Sequence, residues 1–246
     1  MEQEVTLAAE KIAQIGPFII NNSLLTTWVV MAVIIIFAYF AGRNINKVPG
    51  PLQNFAEIVV EGLYSTVESL AGPRTKRFFP ILATFFVLII TANYVGLLPG
   101  IGTVGIFEQH NGKEVLVPLF RSATADLNLT LALALISVSV THYFSITSLG
   151  LTNYLARYIS LNPIYLFVGI LEVVAEFTKI VSLSFRLFGN IFAGETLLVT
   201  ISGILAFIAP LPFMMLELLV GFVQAAVFMM LTLVFMTILT ERHEAH

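Results

Sequence analysis

The sequence predicts an all-α integral membrane protein with about five transmembrane helices. Of its 246 residues, 58% are hydrophobic and only 11% are charged, and the mean hydropathy is +0.94. The apolar residues also fall in runs long enough to cross a bilayer. Soluble domains carry roughly 25% charged residues, so a water-soluble class is excluded. A chain of this length predicts a single membrane domain, residues 1–246.

The composition also excludes several function classes. The net charge is −3 and no basic cluster is present, so no nucleic-acid partner is expected. Cysteine is absent, which removes disulfides, thiolate metal sites and cysteine nucleophiles. Histidine and carboxylate spacings typical of metal sites are also missing, so neither a metal nor another cofactor is expected. The N-terminus is acidic ahead of its first apolar run, unlike a cleaved signal peptide.

Three apolar runs have the length of ordinary transmembrane helices. They cover about residues 24–40, 79–98 and 127–149, each near the ~20 residues that a bilayer requires. Between the first two runs, apolar residues recur at helical spacing with three glutamates among them: Phe55, Ile58, Val59, Leu63, Val67 and Leu70, with Glu57, Glu61 and Glu68. This pattern predicts an amphipathic helix at the membrane surface, with a short re-entrant segment as the alternative.

The distribution of basic residues predicts the orientation. Five lie between the first two spans: Arg43, Lys47, Arg74, Lys76 and Arg77. The connection over residues 100–126 holds only Lys113 and Arg121, and the N-terminal tail only Lys11. The positive-inside rule therefore predicts residues 1–23 outside and the first connection in the cytoplasm. Residues 24–149 then form the first three spans with their connecting loops.

The last third of the chain predicts two helices that are too long to stand upright. From Pro163 to Ile208 no proline interrupts the pattern, and a helix of that length would extend ~69 Å against a hydrocarbon core of ~30 Å. A hairpin bent at Gly189 or Gly194 is the alternative. After two prolines, the segment Phe213–Thr240 is again over-long, at ~42 Å. Residues 163–240 are thus predicted to form a strongly tilted helix pair along a curved partner, with the C-terminus inside.

Arg186 is the most informative residue of this pair. From Ile180 to Leu216 only Arg186 and Glu195 are charged, and an arginine at bilayer depth costs roughly 2.5–3.5 kcal/mol on insertion scales. At 100° per residue it belongs to a stripe along one side of the helix, which consists of Glu172, Glu176, Lys179, Leu183, Arg186 and Asn190. Small residues lie beside it, namely Ala175, Ser182, Gly189 and Ala193. The stripe predicts a charged surface against another protein helix.

Glu195 lies nine residues after Arg186, which is ~180° around the helix. The two cannot be partners on an unbroken helix, and the neighbours of Glu195 are expected from the final helix. Glu217 and Gln224 lie seven residues apart on one face of that helix. Two buried carboxyl groups and an amide are suited to exchanging protons, and hydrogen-bonded packing is the alternative. Further structural alternatives are that Glu176 and Lys179 only neutralise each other and that His142 is a satisfied bundle histidine.

The sequence around Arg186 resembles the signature of the a subunit of F-type ATP synthases: Ser184-Phe-Arg-Leu-Phe-Gly-Asn190, followed by Ala193-Gly-Glu195. Three further stretches resemble the same family: Asn93-Tyr-Val-Gly-Leu-Leu-Pro-Gly100, Ala125-Asp-Leu-Asn-Leu-Thr130 and Gln224-Ala-Ala-Val-Phe228. The resemblance covers about residues 41–240. It implies two long tilted helices packed against a rotating ring of c subunits, in a complex that also contains peripheral-stalk b subunits and the lipid bilayer around it.

The resemblance also implies roles for individual residues. Arg186 would be the essential arginine that faces the ring carboxylate, with Asn190 and Gln224 as its polar neighbours. Two residues would belong to the half-channel from the outer side: Glu195, and Glu217 at a position where some members carry histidine. Glu172 would lie at the cytoplasmic exit, and Asp126 matches a polar residue near the outer mouth.

These observations predict a proton-conducting stator with two offset half-channels, which drives ring rotation and ATP synthesis but is not an enzyme by itself. No phosphate-binding glycine loop is present, so nucleotide chemistry belongs elsewhere in the complex. A self-contained proton-coupled transporter and a purely structural subunit are the alternatives. The coupling ion could be Na⁺ rather than H⁺. The expected location is the inner (plasma) membrane of a bacterium, with a thylakoid membrane as the alternative.

Overall fold

The computed structural model is mostly helical and describes residues 9–43, 45–98, 100, 104–110, 113–158, 162–204 and 209–241. In these ranges the α-helices are α1 (Asn22–Gly42), α2 (Pro51–Ala71), α3 (Thr75–Gly96), α4 (Leu127–Leu149), α5 (Leu151–Tyr158), α6 (Pro163–Ile204) and α7 (Pro210–Thr240). Two antiparallel hairpins accompany them, β1 (Lys11–Ile15) with β2 (Phe18–Asn21), and β3 (Gly105–His110) with β4 (Lys113–Pro118).

Four segments in the described ranges are long and apolar enough to cross a membrane. They are Asn22–Gly42, Pro51–Gly96, Leu127–Leu149 and Pro210–Thr240, so the three ordinary spans and the final helix appear where the sequence predicts them. The segment Pro51–Gly96 comprises α2 and α3, joined by a 3₁₀ turn over Gly72–Arg74. The helix α6 carries five charged residues and is not among the four, so a fifth crossing stays a prediction.

The helix α6 is continuous over 42 residues, so the alternative of a hairpin bent at Gly189 or Gly194 is wrong. At 1.5 Å per residue its length is about 63 Å. Residues 205–208, which the sequence also assigned to this helix, lie outside the described residues. The helix α7 begins at Pro210, earlier than predicted, because proline is tolerated in the first helical turn, where its missing N–H has no partner to lose.

The core lies where α3, α4, α6 and α7 pack together. Its buried side chains include Phe78, Leu82, Phe85, Ile89, Leu133, Leu183, Leu187, Phe228, Leu233 and Met236. The end of α2 joins this core through Val67 and Ala71, whereas the exposed Phe55 and Ile58 lie nearer its beginning. The outward faces of α1 and of the first half of α6 are strongly apolar and exposed, as expected for a chain surrounded by lipid.

Polar contacts between helix ends show which of those ends lie on the same side of the bundle. At one end, Arg74 before α3 donates to Thr240 at the end of α7 (2.9 Å), and Arg77 donates to Ser148 near the end of α4 (3.3 Å). At the other end, Ser23 at the start of α1 donates to Asp126 before α4 (2.5 Å). The basic residues that predict the cytoplasmic side therefore lie at the end where α4 and α7 finish.

Hydroxyl and amide groups link the helices inside the bundle. The hydroxyls of Ser137 on α4 and Thr232 on α7 are 2.8 Å apart. Asn93 on α3 is 2% exposed, donates to the carbonyl of Gly221 on α7 (3.1 Å) and accepts from Thr124 (2.6 Å). Small and hydroxyl-bearing residues at such contacts allow close approach and satisfy polar groups away from water.

We expect Asn93→Ala to weaken the folded bundle by about 1–3 kcal/mol, because the carbonyl of Gly221 would lose its side-chain donor and the hydroxyl of Thr124 would lose its acceptor on Asn93. The matched control is Asn153→Ala, since Asn153 also donates to a backbone carbonyl, at 3.0 Å, but is exposed. Thermal unfolding of the purified chain in detergent measures the difference. Equal unfolding midpoints for the two variants would show that the buried amide of Asn93 contributes no more to stability than the exposed amide of Asn153.

The prediction of an all-α chain was incomplete, since the two hairpins and the short α5 were not expected. The hairpin β1–β2 turns at Gly16, whose φ of 62° favours glycine, and the following Pro17 completes a turn signal in the sequence. Between β3 and β4 the sequence reads Asn111-Gly112, the dipeptide most typical of two-residue hairpins. In both cases the strands are only four to six residues long, so apolar periodicity gives little signal.

Candidate functional site

Arg186 lies on the exposed side of α6 near the middle of the helix. Within the described residues, its polar contact is a single long hydrogen bond of 3.4 Å from Nη2 to the hydroxyl of Ser182. No carboxylate in the described chain forms an ion pair with it. The guanidinium group therefore keeps nearly all of its donors available to a group from outside this chain.

The surface around Arg186 is lined by small residues and contains an open groove. Ala175, Ser182, Gly189 and Ala193, the small residues that the sequence singled out, are all exposed. The groove has a volume of about 460 Å³ and extends along α6 from Leu171 to Arg186, with side chains of α7 on its other wall. This face can receive a closely packed helix, and Arg186 lies at one end of it.

A hydrogen bond between amide side chains connects α6 to α7 one turn beyond Arg186. Nδ2 of Asn190 donates to Oε1 of Gln224 over 2.8 Å. Asn190 is exposed, whereas Gln224 is 4% exposed. The two residues that the resemblance names as neighbours of the arginine are thus brought together, although they lie on different helices.

Glu217 on α7 is a buried carboxyl group that packs against the backbone of α6. Its side chain faces Gly194 so closely that a methyl group added there would overlap with the carboxylate. The residue is only 5% exposed, and no hydrogen bond or ion pair within the described residues reaches it. The absence of a side chain at Gly194 therefore creates the space that this carboxyl group occupies.

Glu195 has a different partner from the one that the sequence predicted. Its Oε2 lies 3.2 Å from Nε of Arg121, which belongs to the connection before α4 and not to the final helix. The side chain of Arg121 is 5% exposed, and its Cζ lies 5.9 Å from the centre of the Phe192 ring. The two predicted carboxylates, Glu195 and Glu217, therefore lie close to the same turn of α6 in different surroundings.

In the sequence, Arg121 stands out only as one of few basic residues in its loop. It is separated from Glu195 by 74 positions, so no spacing rule connects them. The available signal was weak: an arginine five residues before Asp126, in a stretch of small residues that could pack against a helix. Only the folded chain shows the ion pair.

Glu172, the predicted exit residue, lies at the opposite end of α6 and forms an ion pair with Arg157 of α5. One turn further, Glu176 contacts Lys179 (2.6 Å) and approaches His142 of α4 (3.6 Å). The neutralising pair of Glu176 and Lys179 that the sequence offered as an alternative is therefore present. The predicted stripe lies along the border of the packed face, since Glu176 and Leu183 are buried while Arg186 and Asn190 are exposed.

Asp126 caps the first turn of α4. Its carboxylate accepts hydrogen bonds from the backbone N–H of Asn128 (2.9 Å) and from the hydroxyl of Ser23 (2.5 Å). A carboxylate at this position stabilises the helix N-terminus. The structure thus brings Asp126 to the same end as Glu195, although its role in an ion path stays a prediction.

No group of three or more potential metal ligands occurs among the described residues. The fold and the site together define an α-helical membrane protein whose last two helices carry buried ionisable side chains and one exposed arginine. A family model described as ATP synthase A chain matches residues 24–237. The chain therefore belongs to this family and is an Fo-sector membrane subunit of F-type ATP synthases.

Bacterial proteins of the same name are similar over most of their length. ATP synthase subunit a of Geotalea uraniireducens is 34% identical over 212 residues, which are 85% of this chain and 83% of that protein. ATP synthase subunit a 3 of Pelobacter propionicus is 33% identical over 89% of this chain and 87% of its own length. For ATP synthase subunit a of Syntrophobacter fumaroxidans, the identity is 33%, with coverage of 92% and 87%. These relatives and the apolar helices indicate a bacterial membrane protein.

Proposed function

We propose that this chain is the proton-conducting stator subunit of the ATP synthase, in which α6 and α7 lie against a ring of c subunits. The observation that carries the proposal is the position of Arg186, which is exposed on a small-residue face of α6 without a carboxylate partner in the described chain.

Arg186 requires a negative partner from another subunit. An exposed arginine that faced lipid would cost roughly 2.5–3.5 kcal/mol on insertion scales, and more in simulations. A carboxylate on a neighbouring transmembrane helix lowers this cost, because the two opposite charges attract each other strongly away from water. The small residues beside Arg186 allow such a helix to approach closely.

The lengths of α6 and α7 indicate the shape of the partner. Helices of 42 and 31 residues extend about 63 and 46 Å, against a hydrocarbon core of ~30 Å. We infer that both lie obliquely in the membrane, which suits a contact with the curved side of a ring of helices. The groove beside Arg186 would then receive each ring helix in turn.

Polar groups lie on both sides of Arg186 along α6. Glu195 and Glu217 belong to the end where Arg121 and Asp126 lie, and they would line the outer half-channel. Glu172 lies 14 positions before Arg186, about 21 Å along the helix, and would mark the cytoplasmic exit. Two half-channels that end on opposite sides of one arginine cannot conduct unless a moving group connects them.

The ring carboxyl group provides that connection. A proton from outside neutralises it, and the neutral form can enter the lipid because it avoids the cost of burying a charge. After nearly a full rotation it reaches the cytoplasmic exit and releases the proton. Arg186 then attracts the bare carboxylate, while Asn190 and Gln224 would provide polar neighbours. Arginine suits this position because it stays charged at any accessible pH.

The proposal includes the topology and the remaining partners. The chain would cross the plasma (inner) membrane of a bacterium five times, as one domain, with residues 1–23 outside and the C-terminus inside. Residues 24–149 would form the first three spans, and residues 163–240 the helix pair that carries the ion path. The peripheral-stalk b subunits would hold the chain in place while the ring turns.

Cysteine cross-linking tests the contact with the ring, since the chain has no cysteine of its own. Gly189→Cys lies one turn after Arg186 on the exposed face, in open space. Phe177→Cys is the matched control, because Phe177 is 68% exposed but lies nine positions and ~180° away from Arg186. Each variant is combined with a c subunit that carries one cysteine beside its ion-binding carboxyl group.

The expected result is that oxidation cross-links Gly189→Cys to the ring subunit and leaves Phe177→Cys unlinked. Immunoblots of the assembled complex measure the cross-linked fraction. Cross-linking of Phe177→Cys alone would mean that the ring contacts another face of α6, and the stator proposal would fail. Added ATP should lower the cross-linking yield if rotation carries the ring cysteine past this position.

A further inference from the structure

We propose that the short helix α5 braces the first half of α6, so that the ring-facing surface keeps its position when the ring turns against an opposing proton gradient. The inference rests on the proposed function, in which the ring helices move across α6. It assigns a mechanical task to Gly169 and Tyr154, two positioning residues that do not themselves contact the ring.

The first half of α6 has little support from the bundle. Between Pro163 and Ser182 every residue is exposed except five, namely Gly169, Glu172, Glu176, Lys179 and Ile180. These five recur every one to four positions, so they form one narrow stripe along the helix. The second half of α6, in contrast, buries Leu183 and Leu187 in the core. The position of the first half therefore depends on contacts along this single stripe.

The helix α5 provides the first two contacts of the stripe. The buried Gly169 lies against the backbone of Tyr158, so closely that a methyl group added at Gly169 would overlap with the carbonyl oxygen of Tyr158. One turn further along α6, the guanidinium group of Arg157 forms an ion pair with Glu172. Both contacts come from the last turn of α5, and the missing side chain at Gly169 allows the close approach.

A third contact joins α5 to α6 through α4. The hydroxyl of Tyr154 on α5 lies 3.0 Å from Nδ1 of His142 on α4, and Nε2 of His142 lies 3.6 Å from Oε2 of Glu176. A contact with α7 follows only at Lys179, whose Nζ lies 4.5 Å from the centre of the Phe235 ring. Before that level, the polar contacts of α6 with other described elements are those with α5 and with His142, which α5 itself holds.

The brace matters because the groove that would receive the ring helix extends into the braced part of α6. The groove begins at Leu171 and reaches Arg186, which is about 23 Å along the helix. Rotation moves each ring helix across this face, so the ring exerts a sideways force on α6 whenever a proton gradient opposes it. Long helices bend where nothing packs against them, whereas close-packed contacts resist displacement. The contacts of α5 would therefore hold the Leu171 end of the groove against the ring.

Two spin labels on the complete ATP synthase test the brace directly. The chain contains no cysteine, so Ile164→Cys on α6 and Tyr143→Cys on α4 can carry the labels in a complex whose other subunits lack cysteine. Both positions are exposed. We expect Gly169→Ala to shift and broaden the distribution of distances between the labels, because the added methyl forces the end of α5 away from α6.

Two controls make the same chemical changes away from α5. Gly203→Ala adds a methyl to α6 where no neighbouring atom lies within 4 Å, and Tyr165→Phe removes a hydroxyl from an exposed position in the first half of α6. Both should leave the distances unchanged. Tyr154→Phe removes only the hydroxyl that reaches His142 and should broaden the distribution less than Gly169→Ala does. If Gly169→Ala and Tyr154→Phe both match their controls, α5 is not a brace and the inference fails.

Pumping against a load supplies a readout that a loss of stability alone would not change. In inverted vesicles, the proton gradient slows ATP hydrolysis by a coupled enzyme, and an uncoupler releases this inhibition. We expect Gly169→Ala to lower the stimulation by uncoupler about twofold or more, because the displaced α5 lets α6 yield to the ring. Its initial pumping rate, before a gradient forms, should stay close to that of the wild type.

Wild-type vesicles with fewer complexes, matched to Gly169→Ala in initial pumping rate, provide the reference for this measurement. Stimulation equal to that of the reference would overturn the inference. If Gly169→Ala does not assemble with the ring, Tyr154→Phe makes a smaller change and is measured in the same way. Its stimulation should then fall below that of Tyr165→Phe, and equal values would again contradict the brace.

Two further measurements distinguish a failure of the brace from a failure of the proposed function. The passive proton leak of Gly169→Ala under an imposed potential should equal that of the wild type, because Arg186 remains in place. A raised leak would mean that the gradient is lost through an open path and not through yielding of α6, which would contradict the brace. Normal pumping by Arg186→Ala would contradict the proposed function itself. Its loss, together with unchanged label distances in Gly169→Ala, would contradict only the role of α5.

Discussion

Arg186→Ala is expected to abolish ATP-driven proton pumping while the complex remains assembled. Arg186 is exposed and hydrogen-bonds only to Ser182 within the described chain, so its removal leaves the core of the bundle intact. It does remove the group that would attract the ring carboxylate. We expect a loss of at least about 100-fold in the pumping rate, which corresponds to about 2.7 kcal/mol. Acidification of inverted vesicles after addition of ATP measures it.

The same vesicles test whether Arg186 also separates the two half-channels. Under an imposed membrane potential and without ATP, the variant should show a passive proton leak that the wild type lacks. The matched control is Arg43→Ala, since Arg43 is also an exposed arginine, and its Cζ lies 5.9 Å from the ring of Tyr39. The control should pump normally and remain tight. Normal pumping by Arg186→Ala would return this residue to a structural role.

Gly194→Ala is expected to lower pumping about tenfold or more, although it adds only one methyl group. That methyl would occupy the space of the Glu217 carboxylate, so the carboxyl group has to leave its position against α6. Alanine is a better helix former than glycine by about 1 kcal/mol, so the substitution should not destabilise α6 itself. The initial rate of ATP-driven acidification, normalised to the amount of assembled complex, measures the effect.

Two further variants show whether the loss comes from Glu217. Gly203→Ala makes the same change on α6 at a position with no neighbouring atom within 4 Å of the added methyl, and it should pump normally. Combining Gly194→Ala with Glu217→Asp shortens the acid by one methylene and should restore part of the activity. If Gly203→Ala loses as much activity as Gly194→Ala, the effect arises from the helix and not from the displaced carboxyl group.

The helices were predictable because lipid imposes a simple rule on sequence. A segment that crosses a bilayer needs about 20 mostly apolar residues, so α4 appears at residues 127–149 as predicted. The length of α6 also followed from the absence of proline after Pro163, although only the structure excluded the hairpin at Gly189 or Gly194. The hairpins and α5 were missed because segments of four to eight residues show little periodicity.

The candidate site, like the fold, was only partly predictable from the sequence. Arg186 could be identified from sequence alone, because a lone arginine in an apolar run is costly and therefore conspicuous. The partner of Glu195 could not, since Arg121 approaches it from a connection 74 positions away. The fit of Glu217 against Gly194 also depends on two helices meeting at one level.

The sequence by itself determined the class of protein, the position of its apolar helices and the importance of Arg186. Each of these depends on the free energy of placing local segments in lipid, which is a property of residue types and their order. The tertiary structure decided which charges meet: Glu195 with Arg121, Glu172 with Arg157, and Glu217 with no partner in the described chain. Such contacts depend on distances of a few ångströms between remote residues, and only the packing of the helices sets those distances.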